Sequence, residues 1–133
     1  MLPAYRISQA ARLLGVSDDT VRRWADSGRL PVTRDESGRR SIDGAALADF
    51  AAGLIEDGAD PAAGRHSSRN RLTGIVTNVV RDQVMAQVEM VAGPFRVVSL
   101  ISREAADQLG LERGVVAVAS VKATSVSIEL PAR

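Results

Sequence analysis

The spacing of apolar residues divides this chain into a first part with helical periodicity and a second part with strand periodicity. Four apolar residues near the start recur at the i, i+3, i+4 and i+7 positions that share one helix face: Ile7, Ala10, Ala11 and Leu14. Ser8 is a candidate N-cap for this helix, and Gly15 marks its end. The pattern therefore predicts a short amphipathic helix.

A second helix follows at once and a third comes later. Ser17 can cap the second helix, which turns Val21, Trp24 and Ala25 inward and stops at Gly28. The third helix begins at Asp43 and again carries apolar residues at helical spacing: Leu47, Phe50, Ala51 and Leu54. Between these helices, turn residues from Asp35 to Gly38 separate short β-capable stretches, which predicts a small hairpin, or wing.

From Leu72 onward the apolar period changes to two. Alternation is clearest at Val84, Ala86, Val88 and Met90, and the Gly93–Pro94 pair marks a turn before the strand "FRVVSLI". A short helix is expected at Arg103–Leu109 with Ser102 as its cap, followed by strands at Val115–Val121 and Val126–Leu130. About five short strands and one helical turn favour a small barrel of the OB type.

These patterns predict an α+β protein of two domains, a winged helix-turn-helix followed by a small OB-like β-barrel. Residues 55–66 lose periodicity and gather Gly, Ala, Asp and Pro, which is typical of a linker. We therefore expect domains at 1–54 and 67–133, with the linker at 55–66.

Composition excludes several classes of site. The chain has no cysteine, hence no disulfide, thiolate metal site or cysteine nucleophile. Its single histidine, His66, lies in the polar linker without a second histidine, so we expect no metal ion held directly by the protein. With no P-loop, no Rossmann glycine pattern and no carboxylate pair beside a plausible pocket, an enzyme is not expected. No signal pattern and no membrane-length apolar run are present, so we expect a cytoplasmic protein without membrane contact.

Local charge is more informative than the net charge of +1. Residues 1–47 hold eight arginines and six acids, and the arginines cluster. The second helix would lie in the major groove of double-stranded DNA while Val21 and Trp24 pack behind it. The candidate DNA-binding residues are Thr20, Arg22 and Arg23 of this helix and Arg34, Arg39 and Arg40 of the wing. The alternative is a solvated arginine face on a small helical protein-interaction domain.

The run "YRISQAARLLGVSDDTVRRWADSGRLP", followed by "GRRSIDGAALADF", closely resembles the winged helix-turn-helix of the MerR and excisionase families. The resemblance covers residues 5–54. It implies DNA binding in which the second helix reads bases and the wing contacts the backbone.

Three motifs in the second part, "SSRNRLTG", "LISREAADQLGLERG" and "VKATSV", resemble the Mop (molbindin) domain of the TOBE superfamily. This resemblance covers residues 67–130. It implies an OB-like barrel that binds molybdate or tungstate between subunits, with the oxyanion as ligand and no other cofactor. The family's roles carry over to these residues: Ser67, Arg69, Ser102, Lys122, Ala123 (through its backbone N–H) and Thr124. The "SSRN" doublet leaves Ser68 as an alternative to Ser67.

The residue chemistry agrees, because an oxyanion needs convergent hydrogen-bond donors and positive charge. Lys122 is the only lysine among seventeen Lys and Arg residues. Each residue also has a structural alternative: Arg69 as a surface ion-pair residue, Thr124 as a strand former, Ser102 as a helix cap only.

Together the two resemblances imply a molybdate- or tungstate-responsive transcriptional regulator. It would bind DNA and associate with itself through the Mop domain as a dimer or hexamer. Two alternatives stay open. One is a molybdate storage or buffering protein, and the other is a constitutive DNA-binding protein whose Mop domain only oligomerises.

Overall fold

The computed structural model describes residues 3–57 and 67–132. The chain divides into two compact units, Met1–Ala63 and Gly64–Arg133. Of the predicted linker, residues 55–57 are helical instead, while residues 58–66, including His66, lie outside the described residues. No helix among the described residues is long and apolar enough to cross a membrane.

The first unit contains three helices and a small antiparallel sheet, which confirms the predicted helical half and wing. The helices are α1 (Ile7–Leu14), α2 (Asp18–Asp26) and α3 (Gly44–Asp57). The strands are β1 (Ala4–Tyr5), β2 (Thr33–Arg34) and β3 (Arg40–Asp43), in the order β1-β3-β2. The wing is the β2–β3 hairpin, and the pairing of β1 with β3 was not predicted.

The helix ends follow local hydrogen bonding. Gly15 closes α1 with φ +69°, and the Thr20 N–H donates to Ser17 Oγ at 3.1 Å at the start of α2, so these two predictions are confirmed. The prediction of Ser8 as the first cap is wrong, because α1 begins at Ile7 and Arg6 occupies the cap. The Arg6 N–H donates to Gln9 Oε1 at 2.8 Å, which moves the start two residues earlier.

The core of the first unit is formed by small and aliphatic side chains: Ala10, Ala11, Val21, Leu30, Ile42 and Leu47. Alanines let α1 approach α2 closely, and Val21 is fully buried against them. The rings of Trp24 and Phe50 lie 4.9 Å apart at the edge of this core. The back of α2 is therefore fixed by packing, which leaves its opposite face to solvent.

The second unit is a curled antiparallel sheet of four strands in the order β6-β5-β4-β7, half of an OB-like barrel. Its elements are β4 (Asn70–Arg81), β5 (Met85–Ala92), β6 (Phe95–Ser102), α4 (Arg103–Gln108) and β7 (Val116–Val121). A 3-10 turn, Ala123–Ser125, follows β7. Ala86, Val88 and Met90 are buried as the alternation predicts, whereas Val84 precedes the strand and is 70% exposed.

Strand β4 is long enough to pair with two different strands. Its residues 70–75 pair with β7 and residues 75–81 pair with β5. The crossing requires glycine, because a Cβ at Gly74 would collide with the carbonyl oxygen of Val91. This arrangement puts the start of β4 beside the end of β7.

The predicted strand Val126–Leu130 is wrong as a part of this sheet. The segment is extended but pairs with no strand among the described residues, since neither edge strand lies against it. Its apolar side chains are exposed instead.

Candidate DNA-binding surface and anion site

The exposed face of α2 carries two of the predicted DNA-binding arginines. Arg22 forms an i, i+3 ion pair with Asp19 at 2.8 Å, and both side chains are exposed. Arg23 Nη2 donates to Thr20 Oγ1 at 3.3 Å. The hydroxyl of Thr20 also shares a 2.9 Å hydrogen bond with Ser17. These contacts are local and solvent-accessible, so a phosphate or a base edge can replace them at small cost.

The three wing arginines have different surroundings. Arg39 is exposed at the tip, and Arg34 Nη1 donates to the carbonyl oxygen of Gly38 at 2.7 Å within the hairpin. Arg40 is half-buried and forms a 2.6 Å ion pair with Asp26 at the end of α2. Arg40 therefore also ties the wing to the second helix.

A second set of contacts, which was not predicted from the sequence, joins the wing to the start of α1. Arg6 Nη2 lies 2.6 Å from Asp35 Oδ2, and Arg6 Nη1 donates to the carbonyl oxygen of Arg40 at 3.2 Å. The guanidinium thus contacts both arms of the hairpin, and we call this arrangement the Arg6–Asp35 clamp.

Asp35 also organises the hairpin turn. Its Oδ1 accepts hydrogen bonds from the Ser37 hydroxyl at 2.7 Å, the Ser37 N–H at 2.9 Å and the Arg39 N–H at 3.0 Å. The Ser37 hydroxyl and then Arg6 hold the pKa of Asp35 well below its ordinary range, assisted by the two backbone donors. The turn at "DESG" could be predicted from its residue types. The ion pair with Arg6, 29 positions away, could not, because no local sequence pattern indicates it.

In the second unit, the start of β4 and the end of β7 bring together residues far apart in sequence. Asn70 pairs with Val121, and the Asn70 Nδ2 donates to the Val121 carbonyl oxygen at 3.1 Å. Just beyond this pair, Lys122 Nζ donates to Ser67 Oγ at 2.6 Å. The contact falls on Ser67 rather than on its neighbour Ser68.

Other predicted anion-site residues lie at the same corner. Arg69 is exposed and forms no ion pair with a described residue. Ala123 and Thr124 open the 3-10 turn, and their backbone N–H groups find no acceptor within the described part of the chain. No acid occurs in residues 67–81 or 113–128. The corner thus offers positive charge, a hydroxyl and unpaired amides, the donors that an oxyanion requires.

Ser102 is the predicted residue that the single chain does not bring to this corner. It ends β6, pairs with Met85, and accepts a 3.1 Å hydrogen bond from the Ala105 N–H as the cap of α4. Met85 adjoins the Arg81 end of β4, whereas Lys122 adjoins the Asn70 end. Ser102 and Lys122 therefore follow elements that meet β4 at its opposite ends.

Comparison with protein families gives two matches to separate parts of the chain. Residues 6–42 match the MerR family regulatory protein, and residues 66–128 match the TOBE domain. Neither of these is an enzyme family. No curated protein matches the chain.

Solved structures similar to this chain cover about half of it. A molybdate binding protein from Sporomusa ovata is 31% identical, with 49% of this chain and 97% of that one covered and a TM-score of 0.48. An apo form of MopII from Clostridium pasteurianum is 35% identical, with 49% and 98% covered and a TM-score of 0.46. The cytoplasmic molybdate-binding protein ModG with molybdate bound is 37% identical, with 48% and 46% covered and a TM-score of 0.44.

Proposed function

This chain joins a MerR-family helix-turn-helix domain to a TOBE domain, and from that pairing we propose that it is a DNA-binding transcriptional regulator controlled by molybdate or tungstate. We propose two domains, with the limits 1–54 and 67–133 that the sequence predicts. Helix α3 continues to Asp57, three residues beyond the predicted end of the first domain. The proposed regulator acts in the cytoplasm, where it can bind both DNA and the oxyanion.

The observation that carries the proposal is the contact between Lys122 Nζ and Ser67 Oγ. A lysine ammonium that donates to a serine oxygen leaves that serine's own O–H free to donate elsewhere. The same ammonium has further N–H groups to offer. A tetrahedral anion placed beside them would accept from both groups at once, in a corner without acids.

We assign six residues to the oxyanion: Ser67, Arg69, Ser102, Lys122, Ala123 and Thr124. Five lie at one corner of the unit, and Ser102 of a second copy supplies the sixth from the start of its α4. Such a site is complete only in an oligomer, which makes self-association part of the function. A dimer or a hexamer satisfies this requirement.

Molybdate is favoured over other oxyanions because two proteins described as binding it are 31% and 37% identical to this chain over the parts that match. Tungstate has the same charge and tetrahedral shape, and is expected to bind the same donors. No further cofactor is needed for this chemistry, since the anion acts by binding alone.

On the DNA side, we assign base or phosphate contacts to six residues: Thr20, Arg22, Arg23, Arg34, Arg39 and Arg40. Arg23 and Arg39 are exposed and form no ion pair with another described residue, so each can contact DNA without losing one there. Arg22 and Arg40 would exchange a carboxylate partner for a phosphate, which substitutes one charge-assisted contact for another.

Control requires that the anion be bound with different affinity in the free and DNA-bound states. We infer that anion binding between copies fixes the placement of the TOBE units, and that residues 55–66 transmit this as a change in the spacing of the DNA-binding units. Half-sites on DNA are read at fixed spacing, so a change in spacing alters operator affinity.

Calorimetry with molybdate, tungstate and sulfate tests the ligand assignment. We expect saturable heat with molybdate and tungstate and a much weaker response to sulfate. No heat with any of the three would reject the oxyanion site and leave a constitutive DNA-binding protein. Molybdate heat in a chain that binds no DNA from a random pool would favour a storage protein instead.

A further inference from the structure

The start of α2 carries an acid and an arginine in contact on the surface that we assign to DNA. Asp19 and Arg22 lie within the first two turns of the helix, with 89% and 53% of their side chains exposed. Arg22 Nη1 donates to Asp19 Oδ1 at 2.8 Å. The first turns of a recognition helix meet base edges in the major groove, so the chemistry of this pair bears on which bases are read.

The Asp19–Arg22 pair is poorly suited to a phosphate. Its two charges cancel, whereas a phosphate contact depends on a net positive charge. If Arg22 exchanged Asp19 for a phosphate, the released carboxylate would stay beside the DNA backbone and repel it. Neutral acceptors on a base edge exert no such repulsion, so the intact pair is better matched to a base than to the backbone.

Arg23, the next residue along α2, has a different kind of partner. Its Nη2 donates at 3.3 Å to the hydroxyl of Thr20, which carries no charge. The full charge of Arg23 therefore remains available to a phosphate. The two neighbouring arginines thus present different chemistry on one helix, a neutralised pair at Arg22 and a net positive charge at Arg23.

We propose that the Asp19–Arg22 pair reads one G·C base pair in the major groove. The inference rests on the DNA binding that the proposed function requires, and it narrows the contact of Arg22 from a base or phosphate to a base. Arg22 keeps N–H donors on Nε and Nη2 that no described residue occupies, and Asp19 keeps a free Oδ2. Guanine offers two acceptors, N7 and O6, beside the N4 donor of its cytosine partner. Two donors next to an acceptor complement this edge, since Arg22 donates to guanine while Asp19 accepts from cytosine.

An A·T base pair does not fit the same groups. It presents the N7 acceptor of adenine, then the N6 donor, then the O4 acceptor of thymine. The second donor of Arg22 would face the N6 donor, and Asp19 would face the O4 acceptor. These two mismatched contacts disfavour A·T, so the pair determines specificity. Asp19 is also a positioning residue, because its contact fixes the direction of the guanidinium fork.

Selection of binding sites from random DNA by the full chain, with and without molybdate, tests the role of Arg22. The parent should enrich sites in which one G·C pair is invariant in each half-site. Arg22→Ala should lose the preference at that position alone, by at least about fivefold. Its slope of log affinity against log salt should equal that of the parent, because a base contact releases no counterion.

Asp19→Ala distinguishes a recognition pair from a surface ion pair that has no part in binding. This substitution should lower the preference for G·C at the same position and raise the affinity for DNA of any sequence, because it removes a negative charge near the backbone. Asp49→Ala, which removes an exposed carboxylate from α3 of the same unit, is the matched control and should leave the preference unchanged. Ser17 and Asp18 still start α2 in these variants, and thermal unfolding checks that the unit persists.

Three results would count against the inference, and they differ in what they say of the proposed function. An operator whose G·C positions are insensitive to both Arg22→Ala and Asp19→Ala would overturn the inference and leave DNA binding intact. A uniform loss of affinity in Arg22→Ala, with a salt slope smaller by about 1, would make Arg22 a phosphate contact and overturn it as well. A parent that enriches no sequence would reject the DNA-binding function together with the inference.

Discussion

Lys122 is the side chain on which the proposed anion site depends most directly. It is the only lysine of the chain, and it reaches Ser67 across 55 positions at 2.6 Å. An ammonium is a compact charge with three donors, whereas a guanidinium is a wide planar fork. The corner formed by Ser67 and the Ala123–Ser125 turn therefore suits lysine better than the arginine used elsewhere.

Replacing Lys122 with alanine is expected to weaken molybdate binding about tenfold or more, since a hydrogen bond from a charged group is worth roughly 1.5–3 kcal/mol. Lys122→Arg should also weaken binding, because the fork would displace neighbouring donors. Calorimetry measures both effects, and circular dichroism checks that the sheet persists. Arg113→Ala, which removes an exposed charge elsewhere in the same unit, is the control. Molybdate binding by Lys122→Ala at parental affinity would show that the site lies elsewhere.

Arg23 is an exposed member of the predicted base or phosphate contacts on α2, and its guanidinium donates to the Thr20 hydroxyl rather than to a carboxylate. Arg23→Ala should lower DNA affinity, and if Arg23 contacts a phosphate the slope of log affinity against log salt should fall by about 1. Fluorescence anisotropy at several salt concentrations measures this slope, with Arg113→Ala again as the control. An unchanged slope and affinity would exclude Arg23 from the DNA interface.

The wing depends on the Arg6–Asp35 clamp for its position against α1. Asp35→Asn keeps a side-chain acceptor for Ser37 and Arg39 but loses the ion pair with Arg6. We expect a loss of DNA affinity of about threefold to tenfold, equivalent to roughly 0.6–1.4 kcal/mol. Arg6→Lys should lose less than Arg6→Ala, because it keeps the charge beside Asp35. If Asp35→Asn binds DNA as the parent does, the clamp does not position the wing.

The pH dependence of the clamp follows from the lowered pKa of Asp35. A carboxylate with a lowered folded-state pKa contributes stability above its ordinary pKa, and that contribution is lost as the pH falls through the lowered value. The clamp is therefore intact throughout the neutral range. A drop in DNA affinity between about pH 8 and 6 would have to come from another group.

Strand β4 depends on Gly74 at the point where it changes partners. Gly74→Ala should destabilise the second unit by about 2 kcal/mol or more, because the new Cβ would force the backbone of Val91 to move. Gly53→Ala in helix α3 has open space and should instead stabilise by roughly 0.5–1 kcal/mol. Thermal unfolding followed by circular dichroism compares the two. Equal effects of the two substitutions would contradict the close approach.

Sequence patterns predicted the elements that are stabilised locally. Helix α2 carries its cap at Ser17 and its buried residue Val21 within one turn of each other, and the wing has its turn residues between paired strands. The patterns gave wrong predictions where a segment needs another strand to pair with. Val126–Leu130 has the alternation of a strand, but alternation gives no strand without an edge to pair with.

Long-range contacts could not be predicted from the sequence, because each depends on a residue far away along the chain. The sequence around Arg6 does not predict its ion pair with Asp35, and the sequence around Arg40 does not predict its ion pair with Asp26. Tertiary packing alone brings these charges together. One long-range contact, between Ser67 and Lys122, joins two residues that were predicted to share a site. Ser67 and Lys122 were predicted from a family resemblance rather than from local pattern, and the structure places them in contact.

Considered as one molecule, the proposed regulator pairs a unit for DNA with a unit for an oxyanion, and regulation requires that the two bindings be coupled. Coupling between sites is typically about 1–3 kcal/mol, a change in affinity of roughly fivefold to 150-fold. It is also reciprocal, so operator DNA should change molybdate affinity by the same factor. Self-association through the second unit would connect the two bindings.

The most direct test is the affinity for an operator, selected from random DNA, with and without saturating molybdate. The parent chain should change its dissociation constant by at least about fivefold, while Lys122→Ala should bind the operator with one affinity in both conditions. A parent chain that binds molybdate yet holds its operator equally well with and without it would contradict oxyanion control of DNA binding.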